Sequence, residues 1–164
     1  MLINVTNRPH ETWGPDQLEA AGAYGEIVDF PMPGLAPEAP DEEADRIAEL
    51  VVRRVLRRLR GELTGGETQG NAAKDLQEDA VKDAAGDVVK DLQEDATPFH
   101  SQGERNAVVC QGEFVLVFRI VTLLKAEGIM VLAPAFKRVT KPTLRPDGTT
   151  VPGYSFDFVR FRSY

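Results

Sequence analysis

Two short polar stretches carry the side chains most able to do chemistry. The first is Thr6-Asn7-Arg8-Pro9-His10. Thr6 and Asn7 are short donors and acceptors, Arg8 is a fixed positive charge, and His10 is an imidazole, the side-chain type that exchanges protons near neutral pH. The second, Gln111-Gly112-Glu113, interrupts the most apolar part of the chain, VVCQGEFVLVFRIVTLL at 108–124. Gly112 would let the backbone come close to a ligand, and the amides of Glu113 and Phe114 would open a helix whose N-terminus attracts anions, phosphates in particular. Each stretch also has a plain structural reading. Asn and Pro are common turn formers, Gly112 would serve a tight strand-to-helix turn, and Glu113 would complement the helix dipole.

Other chemistries find little support. His10, His100 and Cys110 have no metal-ligand spacing, so no metal is expected. Cys110, in an apolar strand, reads as buried and inert; as the single cysteine it forms no intrachain disulfide and fits a reducing cytoplasm. Ser101, Ser155 and Ser163 lack a nucleophile-elbow context, and neither a GxGxxG nor a GxxxxGK[ST] pattern occurs. The longest apolar run, 114–124, has Arg119 inside it and falls short of the roughly 20 residues that cross a bilayer. The N-terminus lacks a basic region followed by a long apolar one, so no signal peptide is expected. These features describe a soluble cytoplasmic protein without a membrane partner.

The elements that must position the two stretches follow from hydrophobic patterning. Residues 2–6 read as a buried strand, 15–23 as a helix opened by Pro15, and 26–30 as a second strand followed by a proline-rich loop. Asp41 is expected to cap a long helix to about residue 60, acidic at its start and arginine-rich at its end, with Ile47, Val51, Val55 and Leu59 on its apolar face. Residues 107–110 read as a third strand, 114–127 as a helix closed by Gly128, and 130–133 as a fourth strand. Residues 136–141 and 154–164 read as a hairpin in which Phe156 and Phe158 bury while Asp157, Arg160 and Arg162 face water. The order predicts an α/β fold, a mostly parallel sheet flanked by helices with a C-terminal antiparallel hairpin, in one domain spanning 1–164.

Residues 61–105 stand apart as an acidic insertion, helical or partly disordered, in which KDLQEDA occurs at 74–80 and again at 90–96. The net charge of −7 is correspondingly uneven: 71–96 carry −5 and 105–164 carry +5. Helix 114–124 is apolar nearly all round and needs cover on two sides, most simply a second copy across a two-fold axis. Trp13 reads as a loop residue, exposed by its sequence context, that could join that surface, stack on a base, or cover the core edge, the last being the commonest role.

The frame MLINVTNRP, a downstream YGEIVDFPMP, then VVCQGEFVLVFRIVTLLKAEGI and a terminal FDFVRFRSY resembles small single-domain CRISPR-associated proteins of the CARF-like kind. The resemblance implies a Rossmann-like homodimer that binds cyclic oligoadenylate, the messenger of type III CRISPR antiviral defense, and no long nucleic acid. Some such proteins cleave the ring as ring nucleases and others only sequester it. It further implies that Thr6, Asn7, Arg8, Gln111, Gly112, Glu113 and Phe114 form half of a two-fold site suited to cyclic tetra-adenylate. In a metal-independent, cofactor-free cleavage the ribose 2′-OH attacks its neighbouring phosphate, with Arg8 or Lys137 stabilising charge and His10 or Glu113 moving the proton. Such relatives are expected to carry hydroxyl residues after strand four, where this chain has APAFKR; that departure leaves binding without cleavage open. A third alternative is an adaptor protein in which QGE is only a turn.

Overall fold

The computed structural model describes residues 1–63, 106–144 and 149–164. The KDLQEDA repeat and the tip of the C-terminal hairpin therefore lie outside the described residues. Among these residues, five strands and three α-helices run in the order β1 (Leu2–Thr6), α1 (Pro15–Gly22), β2 (Ile27–Asp29), α2 (Asp41–Leu59), β3 (Ala107–Gln111), α3 (Phe114–Ala126), β4 (Met130–Leu144) and β5 (Thr150–Ser163). They form one sheet of order β2-β1-β3-β4-β5, parallel except for the β4–β5 pair. This is the α/β, mostly parallel class expected from the order of the elements, in the Rossmann-like form that the resemblance implies.

β1 is buried along its whole length, as a central parallel strand must be. Its side chains alternate between two cores. Ile3 and Val5, with Val108, Cys110 and Val131, meet α2 and α3 on one face. Leu2, with Ala107, Val109 and Leu132, meets Trp13 and Ala21 on the other. Trp13 is only 6% exposed and lies 6.1 Å from the Phe161 ring, so it covers the core edge rather than standing free. Leu63, in the segment expected to be insertion, is buried in the α2–α3 core, and Arg58 Nη1 donates to its carbonyl at 2.6 Å.

Helix ends depart from expectation in one instructive place. Asp41 is the first residue of α2, not its cap; Pro40 precedes it with no side-chain cap bond. Asp41 and Asp45 instead receive Arg119, the charge in the middle of the apolar α3, whose guanidinium donates to the Asp41 carbonyl and lies 3.0 Å from Asp45 Oδ1. Gly128, at φ 73°, ends α3 in the left-handed region that glycine adopts without strain.

The fourth and fifth expected strands are one. β4 runs from Met130 through Leu144, pairing with β3 only over Met130–Leu132 and with β5 from Leu132 to Leu144. Because β4 is parallel to β3, this two-stranded arm leaves the sheet at its carboxyl edge and extends roughly 30 Å beyond it. The register slips between Ala135 and Phe136, opposite Arg160 and Phe158, leaving Val159 as the extra residue of a bulge. The bulge changes the expected alternation. Phe156 and Val159 are exposed at 66% and 59%, while Phe158 and Phe161, three residues apart, meet at 5.0 Å.

Candidate functional site

The carboxyl edge of the sheet has one topological switch point. From β1 the chain turns through α1 to β2 on one side, and returns through α2 to β3 on the other. In doubly wound sheets the crevice between such diverging loops is where ligands bind. Thr6 and Gln111, the last residues of β1 and β3, are register partners. The two polar stretches therefore sit side by side, with Asn7, Arg8, Gln111 and Phe114 exposed.

Each side chain has its own geometry. Thr6 is 7% exposed and used internally: its Oγ1 accepts from the Arg8 amide at 3.1 Å and donates to the Arg8 carbonyl at 3.0 Å, folding the loop into a tight hydroxyl turn. Arg8 reaches forward, Nη2 donating to the Thr12 carbonyl at 3.1 Å. His10 opens a single 3-10 turn, His10–Thr12, and its Nδ1 lies 2.8 Å from Asp29 Oδ2. Its amide also donates to that carboxylate, at 3.1 and 3.2 Å to the two oxygens. With Nδ1 carrying the proton, Nε2 presents a lone pair.

Two residues not singled out from sequence hold this arrangement. Asp29 ends β2, at the same carboxyl edge. Asn4, 1% exposed within β1, donates through Nδ2 to Asp29 Oδ1 at 2.7 Å and to the Arg8 carbonyl at 2.8 Å. Both Nδ2 partners are acceptors, which sets the amide's orientation, and Oδ1 is left buried without a partner. The sequence signal was available: an Asn inside a buried strand and an Asp at the end of the next, neither supporting an apolar core.

The loop after β3 is organised differently from the anion cradle that its glycine suggests. Glu113 is the N-cap of α3, and its carboxylate accepts from the Val115 amide at 3.0 Å and the Leu116 amide at 2.9 Å. These backbone bonds hold its carboxyl below the usual range. The Val115 and Leu116 amides, next along the helix from the Glu113 and Phe114 amides expected to attract an anion, are thus occupied by the chain's own carboxylate. Gly112 has ordinary backbone angles but is closely covered. A Cβ there would lie 2.7 Å from Met32 Cγ, so the close approach Gly112 permits is that of Met32. Met32 reaches it from the far side of β1, its amide donating to the Thr6 carbonyl at 3.3 Å.

Lys137 is not at the crevice floor. It is exposed on the arm, in register with Asp157. Cys110 is fully buried, and burial pushes its thiol up to about 12, which makes it inert at neutral pH. The apolar α3 is uncovered on one side, with Phe114 89% and Phe118 71% exposed, one helical turn apart. Among the described residues no three His, Cys, Asp or Glu side chains come together to hold a metal, and no helix is long and apolar enough to cross a membrane.

A doubly wound, mostly parallel sheet with a polar crevice at its switch point defines a Rossmann-like α/β protein. The chain belongs to the uncharacterized protein MJ1673 family, whose family model matches residues 71–162, more than half of its length. That match takes in β3, α3, β4 and nearly all of β5, and so Gln111-Gly112-Glu113 but not Thr6–His10. No curated protein and no solved structure matches the chain.

Proposed function

We propose that the protein binds cyclic oligoadenylate, cyclic tetra-adenylate above all, at the switch-point crevice, and cleaves it as a metal-independent ring nuclease in the cytoplasm. The observation that carries this reading is the pairing of Thr6 with Gln111, which sets Asn7, Arg8 and Gln111 together at the sheet edge. A two-fold dimer burying Phe114 and Phe118 would bring two such edges together, one for each half of a two-fold ring.

Each group then has a role. Arg8 faces the phosphate, and Asn7 and Gln111 read base edges or ribose hydroxyls. His10, oriented by Asp29, takes the 2′-OH proton through Nε2 as O2′ bonds to phosphorus. The P–O5′ bond breaks, leaving a 2′,3′-cyclic phosphate and a 5′-hydroxyl protonated from solvent. The reading does not use Glu113 as a base, because its oxygens are engaged by backbone amides.

Binding without cleavage is the second reading. What favours it is that Glu113 is engaged in capping while Lys137 stands out on the arm opposite Asp157. One assay separates the readings: labelled cyclic tetra-adenylate is incubated with the full chain, retention is measured, and products are resolved by chromatography. Linear di-adenylate supports cleavage, and loss of product with retained binding in His10→Ala and Asp29→Asn supports the assigned base. Retained intact ring supports the second reading, and no retention at micromolar protein refutes both.

A further inference from the structure

A groove of about 230 Å³ lies on the α1 side of the carboxyl edge, between the start of α1 and the arm. Its polar groups are Arg8, Asp16, Gln17 and Asp157, and its apolar walls are Phe136, Phe156 and Phe158. Only Arg8 is shared with the crevice. We propose that this groove is a pocket for a single adenine ring carrying one phosphate.

Gln17 points to a ligand most directly. It is 3% exposed, yet among the described residues its side-chain amide has no hydrogen-bond partner; only its backbone amide is used, donating to Gly14. Neither carboxamide atom is sealed from solvent without a partner, and the group borders the groove. A carboxamide offers one donor and one acceptor side by side, the pattern that pairs with N6 and N7 of adenine.

The walls suit a flat ring. Phe136 and Phe158 meet nearly edge to face, at 5.9 Å and 75°, while Phe156 is 66% exposed. The bulge at Val159 places Phe158 and Phe161 together, continuing an aromatic series from the groove wall to Trp13. Bulges re-aim side chains in this way beside sites. Exposed aromatic faces stack bases. The volume is below the roughly 300 Å³ at which drug-sized sites begin, so one ring system fits and a dinucleotide does not. Among the described residues that line the groove, Arg8 is the one cation available to a phosphate, and the two carboxylates disfavour a polyphosphate.

The test is titration of the full chain with adenosine 5′-monophosphate, read by the fluorescence of Trp13, the single tryptophan, and by calorimetry. Saturable binding below about 1 mM is expected. Guanosine 5′-monophosphate should bind about tenfold more weakly, since it lacks the N6 donor that the carboxamide reads. Gln17→Leu keeps an apolar side chain of similar size in the buried position, and Phe156→Ala changes an exposed residue; each should weaken binding about tenfold. Both should keep the wild-type circular dichroism. Absence of saturation, or wild-type binding by both folded variants, overturns the proposal. Asn7→Ala and Gln111→Ala separate it from the crevice reading. They should leave monophosphate binding unchanged while impairing retention of cyclic tetra-adenylate. Monophosphate binding that depends on Gln17, with no retention of the ring, leaves the groove standing and the crevice reading refuted.

Discussion

Gly112 invites a decisive perturbation, because packing and ligand approach demand opposite results from one methyl group. In Gly112→Ala the new Cβ meets Met32 Cγ at 2.7 Å and Cε at 3.2 Å. Carbon pairs rest at about 3.5–4.0 Å, so Cγ must retreat by roughly 1 Å. Cγ sits one bond from Met32 Cβ, and Met32 is 6% exposed within the α2–α3 core, so the retreat takes a rotamer change or a backbone shift. Overpacking of this kind costs about 2 kcal/mol. Ala stiffens the unfolded chain relative to Gly, returning about 0.5 kcal/mol, for a net loss near 1.5 kcal/mol. Met32→Ala alone should cost about 2–3 kcal/mol for the lost burial. With Met32 already truncated, Gly112→Ala should cost almost nothing, giving a coupling of about 1.5 kcal/mol in a double-mutant cycle. Urea denaturation followed by circular dichroism and by Trp13 fluorescence supplies the four stabilities. A coupling below about 0.5 kcal/mol refutes the packing account. If Gly112 is kept for a ligand instead, Gly112→Ala stays stable and loses retention of cyclic tetra-adenylate in both backgrounds.

Three further outcomes follow from the same geometry. Glu113→Ala should destabilise the protein at pH 7, measured by urea midpoint; because folding lowers the Glu113 pKa, its contribution is present above the ordinary carboxylate value and is lost as pH falls through the depressed one, so wild type and variant should converge well below pH 4.5. For Cys110 the sign is opposite: folding raises the thiol from 9.0 to about 12, so stability is lost as pH rises across that interval, by up to about 4 kcal/mol, and Cys110→Ala should flatten this decline. At pH 8 a thiol reagent should modify native Cys110 only as fast as the protein opens. Arg119→Leu should cost about 1 kcal/mol, measured by thermal denaturation, because it removes the tie between α3 and the start of α2 while the acids it meets remain largely solvated.

The sheet and helices were legible because burial imposes periodicity, and parallel strands buried on both faces read as apolar runs. That the loops after β1 and β3 lie together was only implied by the family resemblance; the sheet order β2-β1-β3 is what makes them neighbours. What could not be read is what depends on three-dimensional coincidence. Asp29 lies 19 residues from His10, and no local pattern announces that their side chains meet. Trp13, placed on a loop, was expected to cover the core edge more often than to stand free, and it does, but nothing nearby in sequence shows that Phe161 is the ring it meets. β4 was expected as two strands, 130–133 and 136–141, yet it is continuous through Pro134; there β4 has already left β3 and become an edge, where a missing donor is tolerated. Phe156 was expected to be buried by alternation, and a one-residue bulge is enough to undo that.

Self-capping by Glu113 narrows the ligand more than any other feature of the crevice. A free helix N-terminus would favour phosphate through aligned amides and the dipole. Here two of those amides already hold a carboxylate whose pKa is lowered by the same bonds, so a phosphate brought to α3 meets a like charge. On the proposed reading, phosphate recognition at this edge would fall to Arg8, on the other loop, while the α3 side would offer Gln111 for neutral polar groups. A ligand that fits this division has its anionic backbone toward β1 and its bases or hydroxyls toward β3. Salt should then weaken binding by a small slope, one or two charges per site, unlike proteins that track a phosphate backbone with many cations. A steep salt dependence would place the phosphates elsewhere and remove the reason for assigning the crevice to a small cyclic nucleotide.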